Sequence, residues 1–193
     1  MPVKIILASG SPRRKELLKS LGIEFEIIKP NADEKILNDE SPENLCKRLA
    51  ELKANSINIS NKIILAADTI VVIENEILGK PKNRDDAFRM LNLLQGREHK
   101  VLTGIALRKN NKLISDVEIS SVKFRELNQA QIKAYISSGE CDDKAGAYAV
   151  QGLGSLLIEY IKGDYYNVVG LPLCKFGKML SNFNITLENL LNA

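Results

Sequence analysis

Along the first half of the chain, short β-branched apolar runs alternate with stretches whose apolar residues recur at helical spacing. Residues 4–8 predict a short strand that leads straight into Ser9-Gly10-Ser11-Pro12-Arg13-Arg14. There Ser11 reads as an N-cap and Pro12 as the first helical residue of a helix through Leu17, Leu18 and Leu21 that stops at Gly22. A second strand is expected at 24–28 and a polar loop at 30–39. Ser41-Pro42-Glu43 then repeats the start signal for a helix reaching residue 57. Two short strands, 63–67 and 70–74, flank Asp68. Asn83 opens a helix with Asp85 and Asp86 in its first turn, and Gly96 closes it. The β-rich segments 99–108 and 112–124, separated by Asn110-Asn111, predict a hairpin. Asn128 caps a further helix to residue 138, with Gly139 beyond its end. A strand at 155–161, a turn at 163–167 and a helix at 172–180 complete the pattern. Helices between strands in the first half, with an antiparallel hairpin later, predict an α/β fold: a mixed β-sheet flanked by helices.

The most unusual position is Asp68, a carboxylate inside an otherwise apolar run. Burying a lone carboxylate costs several kcal/mol unless a cation or hydrogen-bond donors face it. Lys80, in the turn-like Gly79-Lys80-Pro81, is one candidate partner and a divalent metal is another. The plainer reading is that Asp68-Thr69 caps a bend between the two strands through local bonds to backbone amides.

Anion chemistry is suggested at the start of the first helix. A strand, a Gly-containing turn and a helix N-terminus aim free amides at an anion, with two guanidinium groups beside them. Cations there oppose the helix dipole, a penalty that a bound anion such as a triphosphate would relieve. The stretch is no Walker motif. Lys53 falls four residues after Leu49, on or near the face used by Leu45, Leu49 and Leu52. From spacing alone it reads as a snorkelling lysine. The small and polar residues of 140–154 suit a wall where backbone approaches a ligand.

Composition narrows these readings. The chain has 193 residues, 45% hydrophobic and 26% charged, which fits one ordinary domain over 1–193. A net charge of +3 without a dense basic run permits an anionic small molecule and does not favour nucleic acid as a stable partner. Aromatic residues make up only 5% with no Trp, which leaves little for stacking RNA bases. Cys46, Cys141 and Cys174 form no CxxC pair, so neither a disulfide framework nor a zinc site is expected. His99 is the single histidine, so a His-based hydrolase is unattractive and packing at a strand start is its expected role. No apolar run approaches the roughly 18 residues of a membrane span or the core of a signal peptide. A cytoplasmic protein without a membrane partner is expected.

Six stretches carry a resemblance: LASGSPRRKELL at 7–18, AADTIV at 66–71, GKP at 79–81, HKVLTG at 99–104, DKAGAYAVQG at 143–152 and GDYYNVVGLPL at 163–173. In that order, over nearly the whole chain, they resemble the Maf family of nucleoside triphosphate pyrophosphatases, also described as septum-formation inhibitor proteins. The resemblance implies a fold similar to the inosine triphosphatase class, two-lobed with a deep cleft, and a homodimer. It implies hydrolysis between the α and β phosphates of a nucleoside triphosphate, releasing the monophosphate and pyrophosphate with magnesium or manganese. By motif, Asp68 matches the family's proton acceptor. Arg13, Thr69 and Gln151 match positions that set base choice in the branch resembling dTTP/UTP pyrophosphatases. Ser9, Arg14, Lys53 and Lys80, together with Arg13, match phosphate-binding positions, and Glu34 with Asp68 matches the metal site. Relatives often carry two glutamates where this chain has Asp33-Glu34, which leaves open which acid reaches the metal.

The residue chemistry agrees with that expectation. Triphosphate hydrolysis needs cations against phosphate charge, supplied by Arg13, Arg14, Lys53 and Lys80, and a carboxylate to hold the metal or accept a proton. A Gln amide offers a donor and an acceptor that match the imide edge shared by uracil and thymine. The alternative is a non-catalytic, nucleotide-binding regulator of septum formation, linked to cell-division arrest.

Overall fold

Strand β1 (Ile5–Ala8) is buried at all four residues, as a strand with a neighbour on each side must be. In the computed structural model, which describes residues 4–35, 37 and 39–191, it runs parallel to both β2 (Phe25–Ile28) and β3 (Ile63–Ile73). Ile5 stands opposite both Phe25 and Ile63. The two ends of the domain expected at 1–193, and positions 36 and 38 of the loop expected at 30–39, lie outside the described residues. Helices α1 (Pro12–Ser20) and α2 (Pro42–Asn55) make the two crossovers that parallel pairing requires.

The expected bend at Asp68 does not exist. Residues 63–73 form one eleven-residue strand, with Asp68 and Thr69 in regular extended backbone. β-branched residues continue on both sides of the aspartate, and its charge is met by a side chain, so the backbone need not turn to satisfy it. Glu74, at φ +54, then turns the chain into the short β4 (Glu76–Leu78), which pairs antiparallel with β3. Sequence pattern gives no sign of a strand only three residues long.

Helix α2 starts where the sequence predicts, with the Ser41 hydroxyl accepting the N–H of Asn44. Its buried stripe is Leu45, Cys46, Leu49, Ala50, Lys53 and Ala54, whereas Leu52 is 36% exposed. Ala50 and Ala54 lie against Ile6, Ala8, Ile64, Ala66 and Ala106, and these small side chains let helix and sheet approach closely. Gly104 takes the approach to its limit. A Cβ there would stand 2.0 Å from the carbonyl oxygen of Cys46.

Asn83 caps α3 (Arg84–Leu94), and Asn128 begins α4 (Gln129–Ser137) with a full capping box to Gln131. The long strands β5 (Glu98–Lys109) and β6 (Lys112–Phe124) are sheet neighbours joined at Asn110, which takes φ +54 as the hairpin signal requires. Strand β7 (Ile158–Lys162) begins later than expected, because residues 155–157 belong to a 3-10 helix, Gly152–Leu157. The expected turn at 163–167 runs into helix α5 (Tyr165–Val169), whose first amides are taken by the Asp164 carboxylate. Helices α6 (Leu173–Leu180) and α7 (Leu187–Leu191) follow.

Among the described residues, seven strands form one mixed sheet in the order β2-β1-β3-β5-β6-β7, with β4 on β3. The chain divides into two compact units. The first contains residues up to Asp68, Thr103–Glu118 and everything from Gly170 onward; the second contains Thr69–Leu102 and Ile119–Val169. Among the described residues no helix is long and apolar enough to cross a membrane.

Candidate active site

Because β1 and β3 are parallel, their carboxyl ends open on the same edge of the sheet, where ligands of open α/β sheets bind. Ser9 directly follows β1. Asp68 lies three residues beyond Leu65, the last β3 residue paired with β1. Helix α2 brings Lys53 to the same place from its last turn, where the helix dipole favours a cation. Lys53 and Asp68 are each 8% exposed, and the Lys53 ammonium meets Asp68 Oδ1 at 2.5 Å. The same nitrogen meets Glu34 Oε2 at 2.9 Å. One buried cation thus gathers two carboxylates from two different segments.

Arg14 completes the group in the first unit. Its Nε donates to the Gly170 carbonyl at 2.7 Å, and Nη1 donates to Ser9 Oγ at 3.4 Å. Burial pulls the guanidinium below its ordinary pKa, while the charges of Asp68 and Glu34 work against that and neighbouring Arg13 adds to it. Arg13 itself is half-buried. Ser9 is buried, and its hydroxyl also accepts the N–H of Ser11 at 3.1 Å. Ser11 therefore holds the N-cap position of α1 without a side-chain capping bond of its own; the serine two residues earlier fixes the turn.

Two expectations are corrected here. The side-chain cation that pairs with Asp68 is Lys53, in place of the Lys80 that spacing suggested. Lys53 does not snorkel: Leu52 takes the outward direction and Lys53 lies within the buried stripe, because a carboxylate waits at its tip. Of the adjacent acids, Glu34 reaches Lys53, whereas Asp33 pairs with the exposed Lys35 at 3.1 Å. The Gly170 carbonyl was missed altogether, since a backbone acceptor 156 positions from Arg14 leaves no side-chain signature.

Thr69, Lys80 and Gln151 belong to the second unit. Thr69 follows Asp68 on β3 and is half-buried; Lys80 is exposed in the turn after β4. The Gly79 carbonyl of that turn accepts the N–H of Gly146, which ties the Gly79-Lys80-Pro81 turn to the loop that leads to Gln151. Gln151 is exposed and extended, at φ −104° and ψ 169°. His99 packs where the sequence expected it, buried at the start of β5 with Nε2 2.8 Å from the Tyr148 hydroxyl and its ring edge-on to Phe124 and Tyr148.

Near Asp68, burial and then the charge of that carboxylate push the Cys46 thiol up to about 12, so it stays protonated and unreactive. The chemistry available in the first unit is therefore that of two carboxylates, an ammonium and a guanidinium held on backbone and hydroxyl partners. Such a set binds phosphate oxygens and can receive a proton from water.

Comparison with known proteins points the same way. The sequence model of the family described as Maf-like protein matches residues 4–183. A dTTP/UTP pyrophosphatase of Clostridioides difficile (strain 630) is 47% identical over 185 residues, 94% of this chain and 95% of that protein. A dTTP/UTP pyrophosphatase of Bacillus anthracis is 48% identical over 188 residues, 96% of this chain and 98% of that one. Among solved structures, the Ham1 protein of Staphylococcus aureus aligns over 81% of this chain and 80% of its own, with 17% identity and a TM-score of 0.48. A family match from residue 4 to 183 and relatives near half identical along their length leave one assignment: the chain belongs to the family of Maf-like proteins.

Proposed function

We propose that this protein is a nucleoside triphosphate pyrophosphatase that hydrolyses dTTP and UTP to the nucleoside monophosphate and pyrophosphate. The observation that carries the reading is the buried Lys53 ammonium shared by Asp68 and Glu34, just past the residues of β3 that pair in parallel with β1. Its support is the near-half identity to proteins named dTTP/UTP pyrophosphatases. In this reading Asp68 accepts a proton from the attacking water, and Ser9, Arg13, Arg14, Lys53 and Lys80 bind the phosphates and offset their charge. Gln151 offers its amide donor and acceptor to the pyrimidine imide edge, and Thr69 adds a hydroxyl.

The donor set suits magnesium or manganese. Glu34 and Asp68 are brought together on the Lys53 ammonium, so the two carboxylates are near enough to share a cation. Two carboxylates, with water and substrate phosphates completing the shell, match how magnesium is usually held. When bound, the metal would neutralise phosphate charge. The family match spans residues of both units, which supports one functional domain. Family likeness further suggests a cytoplasmic homodimer, which light scattering of the purified chain checks.

Pyrophosphate release from a panel of triphosphates with magnesium tests the activity. Asp68→Asn is expected to lower dTTP hydrolysis by about a hundredfold or more while nucleotide still binds, and near-normal release would refute the assigned base. Gln151→Glu replaces the N–H donor with an acceptor, and dTTP use should fall by about tenfold. Equal dTTP turnover before and after that change removes Gln151 from base selection.

A further inference from the structure

The backbone around Gln151 is gripped from two sides. The Tyr135 hydroxyl of α4 accepts the N–H of Ala149 at 3.1 Å. Glu140, just beyond α4, accepts the N–H of Leu153 on Oε2 at 2.9 Å and that of Gly154 on Oε1 at 3.5 Å. The first amides of the 3-10 helix Gly152–Leu157 have no partner within the helix, and one carboxylate satisfies two of them. The fit depends on the absence of side chains. A Cβ on Gly152, which takes φ +65, would stand 2.7 Å from Glu140 Oε1, and one on Gly154 would stand 2.1 Å from the Ala149 carbonyl oxygen. Between these two fastenings Gln151 is exposed, with Gly152 exposed beside it and Val150 buried.

We propose that Glu140 is a positioning residue for base selection: its carboxylate staples residues 152–154 and so fixes where the Gln151 amide meets the nucleobase. The inference rests on the role given to Gln151 above. Without the staple, the Leu153 and Gly154 amides lose their acceptor and the segment gains conformational freedom. Substrate binding must then order it, and that cost falls on affinity and on discrimination between bases, with the chemical step left alone.

The test uses the full chain with Glu140→Ala, Glu140→Gln, Gln151→Ala and the Glu140→Ala/Gln151→Ala double variant. Steady-state rates are measured with dTTP, UTP, ATP and GTP, and amide exchange at Leu153 and Gly154 by NMR. Glu140→Ala should raise KM for dTTP and UTP about tenfold with kcat within about twofold, and narrow the preference over purines. Exchange at Leu153 should quicken. Glu140→Gln should recover part of the loss, because an amide oxygen still accepts from Leu153. The double variant should match Gln151→Ala, since both remove the same contact. Unchanged KM and base preference in Glu140→Ala, alongside altered preference in Gln151→Ala, overturns the staple and leaves the role of Gln151 standing. Fully additive losses in the double variant overturn it too. If Gln151→Ala itself leaves preference intact, the reading of Gln151 fails and the staple with it. Should Glu140→Ala fail to fold, Glu140→Asp carries the same comparison, because its shorter side chain falls short of Leu153.

Discussion

A lysine ammonium this deeply buried persists only because Asp68 and Glu34 share it. Lys53→Met should therefore cost about 3–5 kcal/mol in urea unfolding, most of it from leaving Asp68 buried beside an apolar side chain, and should abolish pyrophosphate release. Full stability in that variant would mean that the pair contributes nothing to the fold. This residue also marks a limit of sequence reading. Helical spacing places Lys53 beside the apolar stripe, but the choice between Leu52 and Lys53 as the buried neighbour is made by a carboxylate on another element. The Asp33-Glu34 pair was ambiguous for the same reason. Residues inside strongly patterned motifs, such as Asp68 and Arg14, were legible because their chemistry conflicts with their surroundings: a charge in an apolar strand, and a cation at a helix N-terminus.

Helix α2 is the element on which that pair depends. It lies on the sheet through alanines, and the contact closes at Gly104 against the Cys46 carbonyl. Gly104→Ala inserts a methyl into a 2.0 Å gap, so the helix must move and carry Lys53 with it. We expect a loss of about 3 kcal/mol or more in stability, read as a lower melting temperature, together with slower dTTP hydrolysis. Unaltered melting would show that the helix can shift freely. The elements with local signals were readable from sequence: the capped starts of α2, α3 and α4, and the β5–β6 hairpin at Asn110. Three were not. β3 is a single strand because a partner from another element satisfies Asp68, β4 is too short to show periodicity, and α5 begins on the Asp164 carboxylate within what looks like a turn.

For the whole molecule, stability should depend on pH through His99. Burial holds its imidazole down to about 4 from the ordinary 6.5, with Glu98 and a backbone bond at Arg97 opposing the shift. Above pH 6.5 both folded and unfolded forms carry it neutral, and its contribution is complete. Between 6.5 and 4 only the unfolded chain takes up the proton, so stability falls by up to about 3 kcal/mol, and below 4 the loss levels off. Urea unfolding at pH 7 and pH 5 should show a drop about 2 kcal/mol larger in the native sequence than in His99→Gln. Equal drops would place the titration elsewhere. The bond from Arg14 to the Gly170 carbonyl spans 156 positions, against 15 for Lys53 and Asp68. During translation, then, the chain up to β3 already holds both members of the Lys53–Asp68 pair, whereas the bond from Arg14 to the Gly170 carbonyl can form only once synthesis has passed Gly170.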